Sequence, residues 1–169
     1  MELLYKPDYD KTLARFEAFW EREIVDRPPV TLALPKEGRF DPLPKREYAS
    51  LEERWLDVDA RIEDMEAGLE RTDFLYDSLP IIWPNLGPEI FSAWCGCGYE
   101  YGETTTWSKP VIEDWEEDYD KARLDMDHPL FKKMVEFTRK LVERGKGRYI
   151  AGLTDLHPGG EHQIGRAHV

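Results

Sequence analysis

The segment "RYIAGLTDLHPGG", residues 148–160, begins with a short apolar run and ends in polar residues and glycines. An apolar run without alternating polar residues is typical of a strand buried on both faces, as in a parallel sheet. Two further segments have the same character: "SLPIIWPNLGP", residues 78–88, and "DRPPVTLALP", residues 26–35. We therefore predict three parallel strands, in residues 30–34, in residues 79–83 and in the run that opens the first segment.

Helical patterns lie between these predicted strands. Residues 50–71 carry apolar side chains at alternating spacings of four and three, which is typical of a helix with one apolar face. A helix is also predicted from Asp8, its N-cap, to about residue 24, and another from about residue 130 to residue 144. Residues 99–115 are rich in aromatic residues and threonine, which favours a strand or hairpin. Strands that alternate with helices indicate right-handed parallel βαβ units.

Two architectures contain such units, an open doubly wound sheet and a (β/α)₈ barrel. The open sheet would call for a glycine-rich phosphate loop, and "GGEH", residues 159–162, lacks that pattern and the helix after it. A barrel needs on the order of 250 residues, so this chain would hold about three or four of its eight strands. We therefore predict an α/β fold: the N-terminal part of a TIM barrel, truncated, with a helical N-terminus in residues 8–26 and the start of the barrel in residues 28–160.

The last seven residues, "QIGRAHV", residues 163–169, do not continue this pattern. Back-translated as CAG ATC GGA AGA GCA CAC GTC, they match the start of a widely used short-read sequencing adapter from the second base onward. We predict that they are adapter translation rather than native sequence, and that residues 1–162 are a partial barrel. A natural basic C-terminal tail is the alternative. If they are adapter translation, we expect this tail to pack against nothing.

Composition excludes several classes of protein. The net charge of −12 argues against a nucleic-acid partner or an anionic membrane surface, because both bind basic patches. No apolar run approaches the roughly 20 residues that span a bilayer, and the N-terminus lacks the features of a signal peptide. The two cysteines stand one residue apart and suggest no disulfide framework. We therefore predict a cytoplasmic globular protein.

Three segments together carry a family resemblance: "YDKTLARFEAFWEREIVDRPPVTLALP", residues 9–35; "WPNLGPEIFSAWCGCGYEYGETTTWSKPVIEDW", residues 83–115; and "GKGRYIAGLTDLHPGG", residues 145–160. They resemble the N-terminal half of uroporphyrinogen-decarboxylase-like proteins. The resemblance implies a TIM barrel and an enzyme. Members of that family include the haem-pathway decarboxylases and methyltransferases that move methyl groups between corrinoid cofactors and thiols or folates.

The chain departs from the decarboxylase pattern at two loops. The family's decarboxylases carry an arginine-rich loop after the first strand and an aspartate after the second. Here the first loop, residues 35–48, mixes basic and acidic residues, and Asn85 stands about where the aspartate would fall. An asparagine cannot supply the negative charge that would stabilise a protonated pyrrole. The resemblance therefore favours a divergent member such as a corrinoid-linked methyltransferase. Uroporphyrinogen decarboxylase of porphyrin biosynthesis, a lyase, is one alternative, and a non-catalytic ligand-binding barrel is another.

The predicted site lies at the C-terminal ends of the strands, where barrel enzymes bind their substrates. Asp155 and His157 flank one apolar residue, so on an extended strand end their side chains point the same way. A carboxylate and an imidazole together suit proton transfer, and we predict both as catalytic residues. Lys36, Trp83 and Asn85, at the ends of the other strands, are predicted to bind substrate. The alternative is that Asp155 caps a turn and His157 is an ordinary loop residue.

No metal site is predicted within the chain. Cys95 and Cys97 form only a C-x-C pair, which is weak evidence for zinc, and packed cysteines are the preferred interpretation. His128 precedes Pro129 and is predicted to start a helix. The methyltransferase resemblance implies zinc and a corrinoid in a longer protein, whereas a decarboxylase needs neither. The predicted partners are a small-molecule substrate, a corrinoid protein and a second copy paired across open sheet edges.

Overall fold

A computed structural model of the chain describes residues 3–156. In chain order the helices and strands are α1 (Tyr9–Trp20), β1 (Thr31–Pro35), α2 (Leu51–Leu56), α3 (Val58–Glu70), β2 (Thr72–Tyr76), β3 (Ile81–Ile82), α4 (Ile90–Trp94), β4 (Gly98–Tyr101), β5 (Thr106–Lys109), α5 (Trp115–Asp118), a 3₁₀ turn (Tyr119–Lys121), α6 (Pro129–Gly145) and β6 (Ile150–Ala151). They fall into two compact units. Of the described residues, the first comprises 3–45, 59–82 and 140–152, and the second comprises 46–58, 83–139 and 153–156.

The prediction of a truncated TIM barrel is wrong. Among residues 3–156 the strands form three separate two-stranded sheets, β1 with β2, β3 with β6 and β4 with β5, and no closed barrel. β1 pairs antiparallel with β2, and all five of its residues are exposed. The apolar run in residues 30–34 had indicated a strand buried on both faces. An apolar run shows only that a strand is favoured. It does not show whether the partner strand is parallel or antiparallel, or whether the two faces of the strand are covered.

The predicted long helix of residues 50–71 is two helices, α2 and α3, separated at Asp57, whose backbone leaves the helical region. α2 begins with a reciprocal cap. The Ser50 hydroxyl accepts a hydrogen bond from the Glu53 N–H at 3.1 Å, and the Glu53 carboxylate accepts one from the Ala49 N–H at 2.7 Å. α6 begins and ends within a residue of its predicted bounds, and the hairpin of β4 and β5 begins one residue before the predicted aromatic segment and ends inside it.

A buried ion-pair cluster holds the end of β2 in the first unit. The Asp77 side chain is 0% exposed and accepts hydrogen bonds from the Arg15 guanidinium at 2.9 Å and from the guanidinium of Arg27. It also accepts one from the Val30 N–H at 2.9 Å, at the start of β1. Tyr76, just before it, has a φ of +53°, which is unfavourable for a bulky residue. The cluster therefore holds a strained turn in place.

A second buried carboxylate joins helices of the first unit. Glu66 of α3 accepts hydrogen bonds from Arg144 at 2.7 Å, from Arg148 at 2.8 Å and from the Tyr149 hydroxyl at 3.0 Å. These bonds fix the segment that leads from α6 into β6. No helix of the described part is both long and apolar enough to cross a membrane.

Candidate functional site

Two strands of the first unit are parallel, as predicted for residues 79–83 and for the run after residue 148. Ile81 pairs with Ile150 and Ile82 with Ala151. The Gly152 N–H donates to the Ile82 carbonyl at 2.8 Å and extends the pairing to the end of both strands. The carboxyl ends of parallel strands lie at one edge of a sheet. The chain therefore leaves β3 and β6 at the same edge, and the predicted site residues Trp83, Asn85 and Asp155 follow directly.

Asn85 shapes the loop after β3. Its side-chain oxygen accepts a hydrogen bond from the Gly87 N–H at 2.8 Å, which closes a tight Asx turn. The residue therefore has a structural contact within its own loop, in addition to any contact with a ligand. Trp83, two residues earlier, keeps 38% of its surface exposed, so its indole ring is available to a ligand.

The same loop packs closely on the hairpin of β4 and β5. The Tyr99 hydroxyl donates to the Leu86 carbonyl at 2.8 Å and lies 2.7 Å from the Thr106 hydroxyl. Gly87 has a φ of +115°, and a Cβ added there would lie 1.9 Å from the Thr106 Oγ1. Only glycine fits both the backbone angle and the space. The loop that carries Asn85 is thus fixed by packing on one side.

Asp155 lies exposed after β6, between two exposed apolar residues, Leu153 at 86% and Leu156 at 48%. A carboxylate flanked by open apolar surface is suited to contact a small organic molecule. His157, its predicted catalytic partner, lies outside the described residues, as do residues 163–169. The predicted pair of Asp155 and His157, and the packing of the tail, therefore stay predictions.

The structure removes the argument that placed Lys36 in the predicted site. It follows β1, which belongs to a different sheet from β3 and β6, and its N–H donates to the Arg71 carbonyl at 2.8 Å, beside the β1–β2 ladder. The prediction grouped Lys36 with Asn85 because all predicted strands were parallel. That rule does not apply to the antiparallel pair of β1 and β2.

Cys95 and Cys97 are buried and free, as the packed interpretation predicted. Burial raises the pKa of both thiols above its usual value. Within residues 3–156, no group of three or more histidine, cysteine or acidic side chains is placed to hold a metal ion.

His128 stands at the start of α6, as predicted. Its Nδ1 accepts a hydrogen bond from the Leu130 N–H at 3.2 Å, so the imidazole caps the helix. This side chain also lines a cavity of about 380 Å³ in the second unit, together with Glu52, Tyr99, Tyr101, Leu130 and Lys133. Sequence reasoning missed this cavity. The available signal was the pair of tyrosines in "YEY", two positions apart on a strand and therefore on one face.

Comparison with known proteins identified no similar protein. No protein-family model, no curated protein and no solved structure matches the chain. The likeness to uroporphyrinogen-decarboxylase-like proteins stays a prediction from the sequence.

Proposed function

We propose that the chain acts on a small organic molecule that binds at the common carboxyl edge of β3 and β6. The parallel pairing of Ile81 with Ile150 and Ile82 with Ala151 carries this proposal. Ligands of α/β proteins bind outside the carboxyl ends of parallel strands, because the loops that leave there converge. Here the converging loops contribute Trp83 and Asp155.

Each of these residues has a distinct role in the proposal. The Asp155 carboxylate accepts hydrogen bonds or a proton from the substrate. The exposed indole of Trp83 and the side chains of Leu153 and Leu156 supply apolar contact area. Asn85 holds its loop in the geometry that presents Trp83.

The reaction class we propose is methyl transfer of the corrinoid-linked type. The family resemblance supports it, and two observations favour it over porphyrinogen decarboxylation. Asn85 is neutral and its oxygen is bonded within its own loop, and the net charge of −12 disfavours a polyanionic substrate. The exposed Trp83 ring suits a flat macrocycle such as a corrinoid. The described residues offer no ligand set for zinc, so no step is assigned to that metal.

The test is to titrate the chain with hydroxocobalamin and with coproporphyrin by calorimetry, and to repeat both titrations with Asp155→Asn. We expect hydroxocobalamin to bind, and we expect the substitution to weaken binding about tenfold, the loss expected for a hydrogen bond to a charged group. Asp120→Asn removes the same charge from an exposed ion pair with Arg123 and should leave the affinity unchanged.

The outcomes separate the candidate functions. Stronger binding of coproporphyrin would instead support a decarboxylase. Equal binding of hydroxocobalamin and coproporphyrin would support a non-catalytic binding protein. An equal loss of affinity in Asp155→Asn and Asp120→Asn would contradict the proposal that the ligand binds at the edge of β3 and β6.

A further inference from the structure

The cavity of about 380 Å³ in the second unit has the size of a small-molecule pocket. Ligand pockets occupy roughly 300–1,000 Å³ and combine mostly apolar or aromatic walls with a few polar groups. Here Leu56, Pro129 and Leu130 supply apolar surface. The polar atoms come from Glu52, Lys133, His128 and the tyrosine hydroxyls, so the lining has the composition of a binding site rather than of a packing defect.

Two tyrosine rings form a corner of this cavity. Tyr99 and Tyr101 lie two positions apart on β4, with ring centroids 5.3 Å apart and ring planes at 86°. The hydroxyl of Tyr99 is fixed by the Leu86 carbonyl and the Thr106 hydroxyl, so this wall is rigid before any ligand arrives. The two rings meet edge to face and form one aromatic wall of the cavity. A cation is attracted to the negative face of such a ring.

The charges around the corner favour a positive ligand. Burial and the charge of the Glu52 carboxylate raise the pKa of Tyr101 to about 12, so the carboxylate acts on the tyrosine corner. The ammonium of Lys133 is 2.8 Å from the Glu136 carboxylate, which offsets its charge. The Nδ1 of His128 is occupied by the helix cap. Glu52 therefore determines the charge preference of the corner.

We propose that this cavity binds an organic ammonium ion, held against the aromatic wall of Tyr99 and Tyr101 and beside the Glu52 carboxylate. A quaternary ammonium group fits best, because its methyl groups contact apolar walls and it needs no hydrogen-bond acceptor. Leu56 and Leu130 supply those walls. The residues that line this cavity differ from those proposed for the substrate edge.

The decisive experiment compares choline with its neutral isostere, in which a tert-butyl group replaces the trimethylammonium group. Binding to the whole chain is followed by chemical-shift changes of the tyrosine ring protons. Choline should bind with a dissociation constant that is roughly millimolar, and the isostere should bind about tenfold more weakly. Equal binding of the two compounds, or no shift with choline, would overturn the proposal.

Matched variants assign the binding to this corner. Tyr101→Leu and Glu52→Gln should each weaken choline binding about tenfold, whereas Tyr101→Phe keeps the ring and should retain it. Tyr119→Leu and Glu116→Gln make the same changes at exposed positions outside the cavity lining and should have no effect. Glu52 is exposed, so its substitution should not disturb folding. Unchanged affinity in both Tyr101→Leu and Glu52→Gln would place choline elsewhere and refute the assignment.

Discussion

Replacing Gly87 by alanine should lower the free energy of unfolding of the second unit by about 3 kcal/mol. The φ of +115° is unfavourable for any residue with a Cβ, and the added carbon would lie 1.9 Å from the Thr106 Oγ1 and 2.5 Å from the Tyr99 hydroxyl oxygen. Both neighbours belong to the hairpin, and they hydrogen-bond to each other. Relief of the clash would break that bond and move the loop after β3. Urea unfolding followed by tryptophan fluorescence measures the loss.

Gly68→Ala is the matched control for this substitution. Gly68 lies within α3, and a Cβ added there meets nothing within 4 Å. Alanine should therefore raise the free energy of unfolding by roughly 0.5–1 kcal/mol, the difference in helix propensity. If Gly87→Ala were as well tolerated as Gly68→Ala, the close packing of the loop on the hairpin would be refuted.

Asp77→Asn should destabilise the first unit by about 3 kcal/mol. The substitution keeps the shape of the side chain but removes the charge that Arg15 and Arg27 share in a buried position. The strained Tyr76 depends on the same contacts, because the Asp77 carboxylate also accepts the Val30 N–H and so ties the end of β2 to the start of β1. Asp120→Asn, in an exposed ion pair, should cause little change and serves as the control.

The pH dependence of stability gives an independent test of the Asp77 cluster. Burial raises the pKa of Asp77, but hydrogen bonds from Arg27, the Val30 N–H and Arg15 outweigh it and lower the pKa from 3.8 to about 2. A lowered pKa means that the folded state favours the charged carboxylate. Its contribution is therefore full above about pH 4 and is lost as the pH falls toward 2. The difference in melting temperature between the wild-type chain and Asp77→Asn should shrink over that range, and a constant difference would contradict the assignment.

Local signals predicted the parts of the fold that local chemistry determines. Periodicity placed α6, and the apolar runs that contain β3 and β6 predicted a parallel pair that the structure contains. The apolar run of β1 looked the same in sequence, but its pairing with β2 is antiparallel and exposed. The choice between these arrangements depends on partners distant in the chain. The interruption of the helix at Asp57 likewise has no proline or glycine to mark it.

The features of the candidate sites likewise divide into those that local sequence indicates and those that depend on contacts between distant segments. The positions of Asp155 and Trp83 could be predicted, because both residues follow apolar runs that do become strands. Their roles in a site stay predictions. The turn made by Asn85 depends on Gly87, and the close fit of Gly87 depends on Thr106, a contact between segments that sequence periodicity does not relate. The residues that line the cavity of the second unit lie on α2, on β4 and at the start of α6, so no single sequence motif predicts the whole cavity.

The parallel pair of β3 and β6 also has a consequence for the order of folding. Its two strands are only two residues long each, and residues 83–149 lie between them in the chain. Closing so long a loop costs conformational entropy that two pairs of residues do not repay by themselves. The hairpin of β4 and β5 and the helices form from near neighbours and need no such closure. The parallel pair is therefore expected to form last, and amide protons of Ile150 and Gly152 should exchange with solvent faster than those of α6.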